Sequence, residues 1–174
     1  RKSVLAFNLP SVDLINYEAD DLIATYVEQI LNKGAKVTIV SSDKDLMQLF
    51  KKGVRIFDPM KNKFITDEDV KNKFGVEPSK VIDVQALAGD SSDNVPGVPG
   101  IGVKTAAELI NKYGNLETLL NSAKEIKQNK RRETLIENKD KAIISKKLVT
   151  LKNDAPVERD LNEFKLKEID KDKL

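Results

Sequence analysis

Seven acidic residues of this chain stand where chemistry could be done, in three groups: Glu18, Asp20 and Asp21; Asp43 and Asp45; Asp90 and Asp93. Carboxylates gathered without counter-ions repel, so they coexist only with protons or bound cations. The chain has no Cys and no His. That removes thiolate or imidazole zinc sites, cysteine nucleophiles and Ser-His-Asp triads. A metal site here must be built from oxygen ligands, which suits Mg²⁺ or Mn²⁺. Two such ions can activate a water and neutralise a leaving oxygen in phosphodiester cleavage.

Each group alone has an ordinary explanation. Acids in the first turn of a helix suit its dipole, an Asp after a strand can cap a helix, and Asp is common in turns. What raises the metal reading is placement. Glu18–Asp21 opens a helical pattern (Leu22, Ile23, Tyr26, Val27, Ile30) that Gly34 can stop. Asp43 and Asp45 follow the β-branched run KVTIVSS, residues 36–42. Asp90 and Asp93 lie in GDSSDNVPGVPGIG, residues 89–102, which holds four of the eight glycines. In open α/β sheets ligands bind beyond the carboxyl ends of strands.

The elements that must position these groups follow from the same patterns. Residues 1–10 read as the end of a helix stopped near Pro10, and SVDLIN (11–16) as a short strand. DKDLMQLF reads as a helix after Asp43, and VRIFD (54–58) as a second strand closed by Pro59. Strand, helix, strand at this spacing predicts a βαβ unit and a mostly parallel sheet. Strand signals fade after residue 64. Thr66 caps a helix with acids in its first turn, and Pro78 begins another. Helices are predicted over 104–113, 116–122 and 132–148, whereas 150–174 is charged, weakly patterned and expected to dock loosely.

Residues 97–110, GVPGIGVKTAAELI, place Gly100 and Gly102 just before Lys104, Thr105 and an amphipathic helix. Glycines let a backbone approach a phosphate, and helix N–H groups and a lysine then face it. Val103 between Gly102 and Lys104 breaks the P-loop spacing. The segment resembles a helix-hairpin-helix motif, which positions a nucleic-acid backbone without reading bases. A ligand-free Gly-Pro connection is the plain alternative. The lysines and arginines between Lys124 and Lys147 extend the phosphate track or form a solvated helix face. With 30 basic and 28 acidic residues the net charge is only +2, so nucleic-acid binding would need segregated charge. No run of about 18 apolar residues offers a membrane span.

YEADDLIATY (17–26), SSDKDLMQL (41–49) and ALAGDSSDNVPGVPGIGVKTAAELI (86–110) together resemble the 5′ nuclease family, most of all the 5′→3′ exonuclease domains of bacterial DNA polymerase I. The resemblance implies an α/β fold: a parallel sheet with flanking helices, a PIN-like 5′ nuclease core over 1–88. It adds a helix-hairpin-helix DNA-binding subdomain over 89–150 and a charged C-terminal segment over 151–174. It implies a structure-specific 5′ nuclease (5′→3′ exonuclease or flap endonuclease) acting in replication and repair. Glu18, Asp20, Asp21, Asp43, Asp45, Asp90 and Asp93 would hold two Mg²⁺ or Mn²⁺ ions, with Asp20, Asp43, Asp45 and Asp93 catalytic. Gly97, Gly100, Ile101, Gly102, Lys104 and Thr105 would grip DNA, the turn also holding K⁺. The expected partners are 5′-flap, nicked or primed duplex DNA and a covalently linked polymerase domain. The expected setting is a cytoplasmic, nucleoid-associated bacterial monomer.

The chain starts at Arg1 inside an apolar pattern and lacks the family's first metal-bearing strand and helical arch. It reads as an N-terminally truncated piece, expected to be weakly active or inactive. Two other readings remain: a duplex-DNA-binding module whose acids do no chemistry, and a PIN-like ribonuclease. The hairpin-like segment counts against the second.

Overall fold

The computed structural model describes residues 2–169. The chain divides into two compact units: Arg1–Val37 with Leu151–Leu174, and Thr38–Thr150.

In the first unit, α1 (Lys2–Ala6) ends in a turn that places Asn8 at φ 52°. The strand expected over 11–16 does not form: residues 11–14 carry no regular element, and the chain turns at Asn16, φ 68°. Apolar alternation alone makes no strand when the backbone groups find no neighbouring edge. Here the Ser11 carbonyl accepts from the Arg159 guanidinium at 3.3 Å instead. Helix α2 (Ala19–Asn32) buries Leu22, Ala24, Thr25 and Val27. The C-terminal segment, expected to dock loosely, is tied to α2. Ala155 is buried and its N–H donates to Thr25 Oγ1 at 3.1 Å. The Lys152 N–H donates to Asp21 Oδ1 at 2.8 Å, and Tyr26 meets Phe164 edge to face at 5.0 Å.

A three-stranded sheet, all but Val37 of it in the second unit, runs in the order β1 (Val37–Val40), β2 (Val54–Asp58), β3 (Lys63–Phe64). β3, missed in the sequence, pairs antiparallel with β2 in the register Phe57↔Phe64 and Asp58↔Lys63. Two residues are too few to show a period, so the hairpin is visible only through its turn. There Asp58 Oδ1 accepts the N–H groups of Met60 at 3.0 Å and Lys61 at 3.2 Å.

Helices make up the rest. α3 (Asp67–Phe74) starts with the expected Thr66 cap, reciprocated by Asp69, and stops at Gly75, φ 71°. α4 (Val81–Ala88) is nearly all buried and packs against both α5 (Val103–Tyr113) and α8 (Lys139–Val149). α6 (Leu116–Asn121) is capped by Asn115. The single helix predicted over 132–148 is two, α7 (Asn129–Glu137) and α8, broken at Asn138. The Asn138 amide donates to the Thr134 carbonyl at 2.9 Å, the local side-chain competition that interrupts helices. Val81, Val84, Leu87, Ile110, Leu116, Leu119 and Leu135 form the helical core. Among the described residues no helix is long and apolar enough to cross a membrane.

Candidate metal centre and nucleic-acid interface

Beyond β1 the chain does not enter an α-helix. Ser41 and Ser42 lead into a 3₁₀ turn, Asp45–Leu49, anchored by buried Leu46, Met47 and Leu49. Asp43 closes that turn: its Oδ1 accepts the Asp45 N–H at 2.9 Å. Ser42 is held from the adjacent strand, its hydroxyl donating to buried Asp58 at 2.6 Å. That bond and the ion pair to Lys61 hold the Asp58 carboxyl down at about 2.

The turn delivers Asp45 towards the loop after α4. Asp45, Asp90 and Asp93 each present one carboxylate oxygen, all within 4.8 Å of one another. Three of the seven sequence-predicted acids thus meet, from segments 45 residues apart and more along the chain. Asp43 is not in that group; its Oδ1 closes the turn. Asp45 is half-buried, and Gln85 of α4 donates its Nε2 to Asp45 Oδ1 at 2.5 Å. Burial pushes the Asp45 carboxyl above its ordinary value, against the Gln85 bond and nearby Lys44, while Asp43 and Asp93 push it further up. Asp90 Oδ1 accepts the Ser92 N–H at 2.9 Å, and its Oδ2 is ion-paired with Lys44. That bond to Lys44 chiefly holds the Asp90 carboxyl below its ordinary value. Asp93 is exposed.

The donor set fits a hard divalent cation: all-oxygen, carboxylate-rich, partly solvated, and already drawing an ammonium into its mouth. Lys44, Gln85 and Asp58 were not singled out in the sequence. Gln85 lies in an apolar helix with no local pattern to mark it, and Lys44 is one lysine among many.

Glu18, Asp20 and Asp21 belong to the other unit, at the start of α2. Asp21 is engaged as the ordinary reading anticipates: Oδ2 takes the Glu18 N–H at 3.4 Å and Oδ1 the Lys152 N–H. Glu18 is exposed and Asp20 partly so.

The loop 89–102 is pinched in its middle. Gly89 and Gly97 sit backbone to backbone: a Cβ on Gly97 would meet Gly89 N at 2.5 Å, and one on Gly89 would meet Val95 O at 2.8 Å. Buried Ser145 of α8 accepts the Gly97 N–H at 2.9 Å, and the Val98 N–H donates to Leu87 O at 2.8 Å. Gly97 therefore sits in the interior. Beyond the pinch, Val98-Pro99-Gly100-Ile101 is a tight turn closed by Ile101 N–H to Val98 O at 3.0 Å, with Gly100 at φ 75°. Ile101 is buried and plugs the turn into the core, while Gly100, Gly102 and Lys104 face outward and Thr105 is half-exposed. Gly102 begins α5 without a side-chain cap, which leaves the first N–H groups of that helix open to a ligand. A Cβ on Gly100 or Gly102 would meet nothing within 4 Å. Of the cations between 124 and 147, Lys146 is held by Asp83 and Glu117, and Arg132 donates to Ile126 O and Asn129. Lys127 and Lys130 are exposed.

The family described as "5′-3′ exonuclease, N-terminal resolvase-like domain" matches residues 1–75, and "5′-3′ exonuclease, C-terminal SAM fold" matches residues 76–172. A DNA polymerase I of Rhizobium leguminosarum is 56% identical over 162 residues, covering 93% of this chain and 16% of that protein. A 5′-3′ exonuclease of Aquifex aeolicus is 42% identical over 166 residues, covering 95% of this chain and 56% of that protein. Among solved structures, T5 5′-exonuclease with divalent metal ions (zinc) bound superposes with a TM-score of 0.78 at 26% identity, over 86% of this chain and 56% of that one. The chain thus spans between about a sixth and somewhat over half the length of these relatives. Its α/β part and its helical part are matched in chain order across almost every residue, and the chain belongs to the 5′-3′ exonuclease family.

Proposed function

We propose that this chain is the metal-binding and backbone-gripping part of a structure-specific 5′ nuclease, which hydrolyses phosphodiester bonds at or near the 5′ end of a DNA strand. The observation that carries this reading is the meeting of Asp45, Asp90 and Asp93. Asp45, Asp90 and Asp93 would hold Mg²⁺ or Mn²⁺. Such divalent ions, when bound, would supply the lowered pKa that lets a water attack a phosphodiester as hydroxide, and the charge that neutralises the leaving oxygen. The protein's own part is positional. Gln85 fixes Asp45, Asp43 shapes the turn that presents it, and Asp58 holds Ser42 behind that turn. The family resemblance proposes Glu18, Asp20 and Asp21 as further ligands, and Asp20, Asp43, Asp45 and Asp93 as the catalytic acids.

Gly100, Gly102, Lys104 and the open N–H groups of α5 would receive a duplex backbone phosphate, with Ile101, Gly97 and Thr105 shaping the turn. Main-chain oxygens of the same turn are the proposed K⁺ ligands. The division proposed along the chain is 1–88 the nuclease core, 89–150 the DNA-gripping part, which also lends Asp90 and Asp93 to the centre, and 151–174 a segment applied to α2. The substrates proposed are 5′-flap, nicked and primed duplexes, and the parent protein would carry a polymerase domain, as DNA polymerase I relatives do by name.

Trace Mn²⁺ added to ¹⁵N-labelled chain tests the centre. Amides of 43–46 and 89–94 should broaden together, while those of α3 stay sharp. Asp93→Asn should raise the Mn²⁺ needed by about tenfold or more, as loss of a charged ligand costs several kcal/mol at most. A folded chain whose two segments do not broaden together refutes the metal reading. Duplex binding that survives in chelator without any such broadening would leave only the DNA-binding module.

A further inference from the structure

Lys44 lies between Asp43 and Asp45, yet its ammonium does not reach into open solvent. It turns onto Asp90, forming an ion pair with Oδ2, and the lysine side chain is 33% exposed while that of Asp90 is only 11% exposed. The fields of Asp45 and Asp93 also act on it. The ammonium is therefore the positive charge at the mouth of the three-carboxylate group. The other Asp90 oxygen is taken by the Ser92 N–H, and Asp45 Oδ1 by Gln85. Asp90 Oδ2 is thus the oxygen of that residue which a cation would claim, and Lys44 holds it.

A divalent ion bound through that oxygen and an ammonium at hydrogen-bond distance from it would repel strongly in a partly buried site. One must go. We propose that Lys44 is a built-in, displaceable counter-cation: it holds the Asp90 loop against the Asp45 turn before metal arrives, leaves Asp90 as metal enters, and so sets the affinity of the centre. The inference rests on the reading of Asp45, Asp90 and Asp93 as metal ligands. It adds an opposing term to that affinity which the carboxylates alone would not predict.

Mn²⁺ alone is the probe, its free concentration followed by electron paramagnetic resonance against the full 174-residue chain. Lys44→Met removes the competing charge and keeps the aliphatic stem, and should bind Mn²⁺ about three- to tenfold tighter, the worth of a part-exposed ion pair plus the removed repulsion. Lys44→Arg keeps the charge and should stay within about twofold of the unaltered chain. Lys44→Gln serves as a second neutral variant should the methionine chain misfold, and circular dichroism with urea midpoints establishes folding. In ¹³C-lysine-labelled protein the Lys44 ε-methylene signal, identified by its loss in Lys44→Met, should shift on addition of Mg²⁺. Unchanged or weaker Mn²⁺ binding by a folded neutral variant overturns the counter-cation role and leaves the metal centre standing. Absence of binding in the unaltered chain and both neutral variants overturns the centre itself, and the inference with it.

Discussion

Asp58 does no chemistry in the proposed reaction, yet its surroundings tie its charge to the fold. It is buried, and it accepts from the Ser42 hydroxyl, two backbone N–H groups and the Lys61 ammonium. Its carboxyl is held at about 2, below the ordinary 3.8. A depressed folded value means that the charged form is favoured by folding. The stabilisation is complete above 3.8 and fades as pH falls towards 2. Asp58→Asn should therefore lower the urea midpoint at neutral pH, and the gap to the unaltered chain should close between pH 3.8 and about 2. A gap that stays constant through that window would show the carboxylate to be no better solvated in the fold than in water. Asp69, also held at about 2 by Lys63 and Thr66, remains in both chains and cancels. The contrast with the proposed ligands explains what could be read at this scale. The grouping of Asp45, Asp90 and Asp93 follows acids expected at element ends, a signal that Asp43 shares without joining the group. Gln85, Lys44 and Asp58 were not legible, because each acts on a residue that only the fold brings near, as Gln85 acts on Asp45 across 40 positions.

At the scale of elements, what could be read was whatever local periodicity and caps decide. α2, β1, β2, α3, α5 and α6 follow from apolar spacing, β-branched runs and the Thr66 cap. The expected strand at 11–16, the break at Asn138 and the docking of the C-terminal segment turn instead on partners remote in sequence or on one side-chain bond. Thr25 is such a partner: buried in α2, it accepts the Ala155 N–H and lies 3.5 Å from the Lys152 carbonyl it donates to. Thr25→Val keeps the shape and leaves the Ala155 N–H without its acceptor, so stability should fall by about 1–3 kcal/mol. Amide exchange at Ala155 should accelerate well beyond that of α5, and equal exchange in both chains would show that the segment is held by other contacts. The loop between α4 and α5 separates folding from binding within a few residues. Gly97→Ala puts a methyl into the Gly89 backbone at a positive φ, and should cost about 2–4 kcal/mol from overpacking and left-handed strain. Gly102 is extended with open space around its missing Cβ, so Gly102→Ala should keep stability within about 1 kcal/mol. That methyl would nonetheless stand where the proposed phosphate would approach, and duplex affinity, read by fluorescence anisotropy, should fall. Unaltered duplex affinity in a folded Gly102→Ala chain would remove the turn from the interface.

For the whole molecule the informative quantity is charge. Thirty cations against 28 anions give +2, with several of the cations committed to internal partners: Lys44 to Asp90, Lys146 to Asp83 and Glu117, Lys63 to Asp69. A chain of this kind has little long-range attraction for a polyanion, and the proposed grip on a duplex would come from a few fixed donors. Those at the start of α5 are backbone dipoles, which position a phosphate while releasing few counter-ions. Duplex affinity measured in chelator should therefore fall only gently with salt, with a slope of log K against log salt of about −1 to −3, since each phosphate neutralised by a side-chain cation contributes about −0.9. Lys104→Ala should weaken binding uniformly across sequences and make the slope shallower by about one. A slope near −8 in the unaltered chain would instead mean about nine neutralised phosphates. That number requires the exposed lysines around Lys127 and Lys130 to act together as a binding track, and the α5 turn would then be a minor contact. Loss of binding in chelator has a different meaning: metal held by the carboxylates would be bridging to the DNA, and the two halves of the proposed function would be one interface.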